Sequence, residues 1–189
     1  MKKYVFKPYN ESYPKLYQDE EQKLKNVLGN DILIEHIGST AIPGLGGKGI
    51  IDIMIAAPKY QMKKFSELVQ QIGYEYKASG GNEERIFHQR DENNTNGDLI
   101  RYHLHITFPE SSAWREDIAF RDHLRNNPED AILYAEIKLK AARKSDQTKE
   151  KYMEIKEPVI QEILQKALQV KNFRSSNLQS KLMFFEFHF

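Results

Sequence analysis

Residues 32–57 read ILIEHIGSTAIPGLGGKGIIDIMIAA, and the fold turns on them. Two apolar runs bounded by Gly and Pro have the pattern of buried strands, and a glycine-rich turn joins them. Gly38-Ser39 follows the first run, expected over 32–37. Asp52 stands alone in the second, Ile50-Ile51-Asp52-Ile53-Met54-Ile55. Alternation puts Ile51, Ile53 and Ile55 on one face and Asp52 and Met54 on the other. A carboxylate among isoleucines is costly unless it has a partner or a metal. Lys48 is the local candidate for an ion pair, and a divalent cation is the rival.

On the N-terminal side, Tyr4-Val5-Phe6 reads as a short edge strand. Ser12 before Pro14 reads as helix entry, and Tyr13, Leu16, Tyr17, Leu24, Val27 and Leu28 recur at helical spacing up to Gly29. On the C-terminal side, Met62, Phe65, Leu68, Val69 and Ile72 form an apolar stripe, predicting a helix over 60–72 ended by Gly73. Residues 74–77 and 85–88 read as strands, and 91–98, DENNTNGD, as a polar hairpin tip. LIRYHLHITF, residues 99–108, is the clearest alternating strand, with Leu104, Ile106 and Phe108 on one face and His103, His105 and Thr107 on the other.

From Ser111 the pattern is helical. Trp114, Ile118, Arg121 and Leu124 mark one helix. Asn127-Pro128-Glu129-Asp130 opens a second, and Asp146 is expected to cap a third, which Pro158 should kink or divide. Residues 182–189, LMFFEFHF, are apolar and β-prone. They are expected to pair with a sheet or a partner chain, so that the tail governs homo-oligomerisation. Strands early and helices late predict an α+β fold, a mixed sheet covered by helices.

Composition narrows the function classes. The 189 residues carry 28 Lys+Arg against 27 Asp+Glu, a formal charge of +1, so no bulk basic field argues for nucleic acid. The absence of cysteine removes disulfides and thiolate metal sites. No stretch has the apolar length of a signal peptide core or a membrane span. A soluble, cytoplasmic protein with no membrane partner is expected.

Several groups could carry chemistry. Gly38-Ser39 suits close backbone approach to a phosphate, although a tight turn alone accounts for the dipeptide. His103 and His105, with Asp52 or His36, could form a two-histidine, one-carboxylate metal site, as could a hydrogen-bonded scaffold. Arg85, Arg90 and Arg101 lie near the same strands; arginine forks suit phosphate, and solvated strand charges are the alternative, favoured for Arg90 by the loop beside it. In the helical half, Arg121 is expected to pack, within reach of the sheet.

Together, HIGSTAIPGL (36–45), KGIIDIMI (48–55), RIFHQR (85–90), HLHI (103–106) and FRDHLRNNPEDAILYAEIKLKAA (120–142) resemble the GrpB-like family of small bacterial proteins. The resemblance covers roughly residues 10–170. It implies a nucleotidyltransferase-like fold, a small mixed sheet with helices on one side, as a single domain over 1–171 followed by a tail over 172–189. Nucleotidyltransferases of that superfamily carry a Gly-Ser turn, a strand with two alternate acids and a third acid on another strand. Gly38-Ser39 and Asp52 match the first parts. Met54 stands at the second acid, and His103 and His105 occupy the later strand. Two-metal transfer needs acids to hold two cations about 4 Å apart, so the resemblance implies the fold and a phosphate-binding turn and leaves nucleotidyltransferase-like transfer an open alternative.

The resulting expectation is a polar cleft binding a nucleotide or other phosphorylated metabolite with one divalent metal, Mg or Mn. Asp52, His103 and His105 are the expected metal ligands and catalytic groups, with a histidine as general base. His36, Gly38, Ser39, Lys48, Arg85 and Arg101 are the expected ligand-binding residues. The alternatives are a non-catalytic binding or accessory domain, and a His/Asp metal-dependent hydrolase.

Overall fold

The two runs of 32–57 become adjacent strands, β1 (Leu33–Ile37) and β2 (Ile50–Ala56), in a computed structural model that describes residues 5–94 and 96–186, with side chains described up to residue 169. Three further strands complete a mixed sheet: β3 (Glu75–Tyr76), β4 (Ile86–Asn93) and β5 (Leu99–Thr107), in the order β1-β2-β5-β4-β3. β2 pairs antiparallel with β1 and parallel with β5, in a register that sets Asp52 opposite His103 and Met54 opposite His105. β4 pairs antiparallel with both β5 and β3.

Alternation decides what each face buries. Ile51, Ile53 and Ile55 of β2 and Leu104 and Ile106 of β5 have no solvent exposure. Against them pack α1 (Tyr13–Leu28), through Tyr13 and Leu24, and α2 (Met62–Gln70), through Met62, Phe65 and Val69. α2 is shorter than 60–72 because Lys59–Gln61 forms a separate 3₁₀ turn. Inside this face sits an unpredicted charge: Glu20, fully buried, accepts a hydrogen bond from Tyr74 Oη at 2.9 Å and pairs with Arg90. Arg90 is thereby committed beneath the sheet, where the sequence suggested a solvated strand charge.

The late helices are α3 (Ser112–Asn126), α4 (Pro128–Lys144) and α5 (Lys149–Glu186). Ser111 caps α3, its Oγ accepting from Trp114 N at 3.0 Å. Leu124, Tyr134 and Ile163, one from each helix, close on Ile42 and Leu45. This second core pins the glycine-rich segment between β1 and β2 against the helical half.

Four local expectations are corrected. Asp146 does not cap α5: with Gln147 it takes positive φ (46° and 60°) in the α4–α5 turn, and Thr148 precedes the helix, its carbonyl accepting from Tyr152 N at 3.2 Å. Pro158 does not divide α5, because it removes one rung while Ile155, Val159 and Ile163 stay anchored on both sides of it. β4 runs on to Asn93, since cross-strand partners on β5 extend the ladder into the expected hairpin tip. At the N-terminus, Lys7 forms a two-bond bridge with Gly47, outside the main sheet; Tyr4 lies outside the described residues.

The backbone from Leu182 to Glu186 continues α5 as helix. The tail's side chains and residues 187–189, on which its expected docking depends, lie outside the described residues. Among the described residues no helix is long and apolar enough to cross a membrane.

Candidate functional site

The polar face of the sheet is organised by Gly38. Its φ of +69° is the left-handed region that favours glycine. A Cβ there would lie 2.3 Å from Asp52 Oδ2, so the bare backbone at the end of β1 lets the carboxylate of the adjacent strand lie against it. Ser39–Ala41 then forms a 3₁₀ turn.

The β2–β5 register brings His103 Nδ1 to 3.2 Å from Asp52 Oδ1, with both side chains 23% exposed. One nitrogen of each of His103 and His105 and one Asp52 oxygen all lie within 4.8 Å of one another. Burial works to raise the Asp52 pKa. The hydrogen bond and charge of His103, backed by His105 and His36, outweigh it and bring the pKa below the usual value. Burial pushes His105 down to about 3, with the Arg85 charge adding to the effect, so this imidazole is neutral. Its Nδ1 is buried with no hydrogen-bond partner. Leaving such an atom unsatisfied costs about 1–3 kcal/mol, and a native structure retains it for a reason.

A cleft of about 330 Å³ opens above these groups, lined by Gly38, Asp52, Arg85 and His105 on the sheet side and by Asp117 and Tyr134 on the helical side. Arg85 donates to Asp117 Oδ2 at 2.6 Å, while its Nε is buried without a partner. Burial raises the Asp117 pKa and the Arg85 charge only partly opposes it.

A cationic group borders the same Asp52. Lys138 Nζ donates to Gly46 O at 2.6 Å. A Cβ added to Gly47 would fall 2.6 Å from that ammonium and 2.5 Å from Ser39 Oγ, so Ser39 and Lys138 meet over a bare glycine. Lys156 and Lys48 lie 4.9 and 4.8 Å from the centre of the Tyr152 ring, and Lys138 lies 5.3 Å from that of Tyr134. Burial, then the neighbouring Lys156 and Lys48, pull the Lys138 pKa down to about 7, with Asp52 opposing. Burial and Lys48 bring Lys156 to about 8, again against Asp52. Three ammonium groups thus crowd one another beside one carboxylate.

Of the residues expected to bind ligand, Gly38, Ser39, Lys48 and Arg85 are brought together with Asp52, His103 and His105. His36 and Arg101 are not placed with them. His36 pairs with Ile53 across β1–β2, on the opposite face from Asp52. There its ring stacks on Tyr17 at 4.5 Å, and Nε2 lies 3.0 Å from Thr40 Oγ1. Thr40 gives its one proton to Ile50 O, so His36 Nε2 is the donor. Arg101 shares the histidine face, but Asp91 on β4 holds it by two bonds of 2.8 and 2.7 Å. Arg121 reaches the sheet from α3, donating to His36 O at 2.9 Å and pairing with Glu35. Sequence reasoning missed Lys138, Lys156 and Asp117. One signal was available: Tyr134, Lys138 and Ala141 share a helical stripe, which places a lysine on the buried side of α4.

The GrpB protein family matches residues 3–166. The chain is 34% identical over 163 residues to the UPF0157 protein PA4798 of Pseudomonas aeruginosa, covering 85% of this chain and 66% of that protein, just under two thirds of its length. It is 31% identical to the UPF0157 protein BH1888 of Halalkalibacterium halodurans, covering 84% of this chain and 80% of that one. Among solved structures, the conserved protein GrpB from Enterococcus faecalis superposes with a TM-score of 0.75 at 29% identity, over 88% of this chain and 99% of that one. The Cid1 poly(U) polymerase bound to MgGTP superposes with a TM-score of 0.52 at 16% identity, over 75% of this chain and 46% of that one, a likeness of fold. The nucleotidyltransferase-like α+β architecture expected from the sequence is therefore the observed one.

Proposed function

The chain belongs to the GrpB family, and from that premise and the cleft's geometry we propose that it binds a nucleotide or other phosphorylated metabolite together with one divalent cation. The observation that carries this reading is the meeting of Ser39, Lys138 and the bare Gly47 beside Asp52. Burial first, and then the charges of Lys156 and Lys48, lower the proton affinity of Lys138, and burial with Lys48 lowers that of Lys156. An anion with several phosphate oxygens relieves that repulsion, and the cation on Asp52 bridges it to the carboxylate.

In this reading Ser39, Lys48 and Lys138 take the phosphate oxygens, Lys156 supplies further positive charge, and Asp52 takes the cation. A two-metal nucleotidyl transfer is not part of the proposal. Met54, fully buried, occupies the next position on the Asp52 side of β2, and Asp117 is engaged by Arg85. The reading is thus a binding protein of nucleotidyltransferase fold. A metal-dependent hydrolase is the second reading, favoured by the clustering of Asp52 with His103 and His105.

The test is a thermal-shift and calorimetric titration with ATP, GTP and inorganic triphosphate, each with and without Mn²⁺. A ligand at 100 times its Kd stabilises by about 2.7 kcal/mol, a readable shift. Ser39→Ala and Lys138→Met should each weaken the best ligand about tenfold. A screen in which none of these ligands shifts melting at millimolar concentration overturns the reading.

A further inference from the structure

Asp52, His103 and His105 are more than the remains of an acid pair. β2 and β5 are parallel neighbours, and their register places the two imidazoles beside and diagonally across from the carboxylate. The rings stand nearly perpendicular, 82° apart with centres 6.5 Å from each other, yet one nitrogen of each and an Asp52 oxygen lie within 4.8 Å of one another. The His103 Nδ1 to Asp52 Oδ1 separation of 3.2 Å matches the edge between two ligands held about 2.0–2.2 Å from one ion. His105 Nδ1 is buried without a hydrogen bond on a side chain that lines the cleft; His88 shares a bare Nδ1 but lies outside the cleft, its Nε2 held by Ser66 at 2.9 Å.

The rings are also braced. Phe87 of β4 packs against His103 at 4.9 Å and against His105 at 5.0 Å. Gly80 backs Phe87 so closely that a Cβ on it would fall 2.0 Å from Phe87 Cδ1. An aromatic wedge with a bare glycine behind it limits how the imidazoles can turn, which is how rigid ligand sets are built.

We propose that Asp52, His103 and His105 form a mononuclear centre of two nitrogens and one oxygen, which takes a divalent cation of the Mn-to-Zn series in preference to Mg. The donor chemistry decides between them. Mg²⁺ favours carboxylate, carbonyl and water oxygens, whereas neutral imidazole suits the later first-row ions. Three protein donors leave further coordination positions open, the arrangement of metal sites that accept water or substrate. This deepens the reading of the cleft by naming its cation, and rests on that reading only for what the open positions face.

The experiment uses the full chain stripped with chelator and titrated with Co²⁺ as a spectroscopic probe, in buffer free of phosphate. One Co²⁺ per chain is expected, with visible absorption and ligand-field bands, and with Mg²⁺ at least about a hundredfold weaker as competitor. His105→Ala and Asp52→Asn should each cut Co²⁺ affinity by tenfold or more. Should His105→Ala not fold, as read by circular dichroism, His103→Gln at the partly exposed member serves instead. Absence of stoichiometric Co²⁺ binding, equal affinity for Mg²⁺, or ligand variants that leave Co²⁺ affinity unchanged each overturn the proposal. Inorganic triphosphate titrated separately into the chain, with and without Mn²⁺, reads the phosphate site. Its failure beside intact Co²⁺ binding removes the phosphate reading and leaves the metal centre standing, and the converse result does the opposite.

Discussion

β2 and β5 have two faces made from alternating residues of the same strands, and the two are built on different terms. On one, Ile51, Ile53, Ile55, Leu104 and Ile106 are wholly buried under α1 and α2. Its polar groups are held through some of their atoms: Glu20 holds Arg90 and Tyr74, and His88 meets Ser66, while Arg90 Nε and His88 Nδ1 lie buried without a partner under the helices. On the other face, Asp52 and His103 keep partial contact with solvent, and His105 and Arg85 each bury a nitrogen without a partner. The first face supplies stability. The second leaves groups unsatisfied within reach of a ligand, and burial elsewhere offsets their cost.

The sharpest way to break this comparison is to cut into the apolar face. Leu104→Ala removes a fully buried side chain between two of the histidines at issue. It should cost about 2–5 kcal/mol in urea unfolding, through lost transfer energy and the cavity left behind. A loss below 1 kcal/mol would mean this face relaxes freely and does not carry the fold.

Gly38→Ala tests the opposite face through its backbone. The new methyl meets Asp52 Oδ2 at 2.3 Å and sits at a φ of +69°, so a destabilisation of about 1–3 kcal/mol is expected. Because the carboxylate must move, Co²⁺ affinity should fall with it. Loss of stability with metal affinity unchanged would show that the Gly38–Asp52 contact serves the turn alone.

Protonation acts on both faces, since burial lowers His105 as well as His88, and His88 reads the apolar one by a smaller amount. Burial lowers His88 from 6.5 to about 4, so the folded chain keeps it neutral while the unfolded chain binds a proton below about 6.5. The unfolded state then holds more protons, and stability must fall as pH drops from about 6.5 towards 4. Between pH 7 and 5.5 the loss is about 1 kcal/mol for this group. His88→Gln should flatten the pH dependence of unfolding by that amount. An unchanged slope would mean His88 charges freely in the folded state.

How much of this could be read from the sequence follows from the range of the interactions. The alternation of 50–55 and 99–108 is local, and it placed Asp52, His103 and His105 on polar faces before any pairing was known. Whether β1 joins in phase is a matter of register, and His36 lies opposite Ile53 rather than Asp52. Arg101 had the right phase, but Asp91 on the neighbouring strand engages it. Lys138 and Lys156 lie more than eighty residues from Asp52 in sequence and reach its surroundings only because the second core closes α3, α4 and α5 on Ile42 and Leu45. No local pattern contains that closure. Glu20 shows the same limit: an acid in an amphipathic helix reads as solvated until Tyr74 and Arg90 arrive from other elements.

The smallest expected change in stability is the one that most sharpens the comparison. Asp52→Asn keeps the shape of a side chain 23% exposed and an oxygen that can accept from His103. It also removes a charge whose burial opposes ionisation. These terms run in opposite directions, so unfolding free energy should stay within about 1 kcal/mol of the parent chain, as for a site that is not part of a packed core. Function should respond out of proportion, because Asn offers a cation no negative charge: Co²⁺ affinity should drop by tenfold or more, about 1.4 kcal/mol or beyond in binding free energy. Urea unfolding and Co²⁺ titration on the same preparation read both quantities. A loss of stability comparable to that of Leu104→Ala would make Asp52 part of the scaffold, and the division of labour between the two faces would fail.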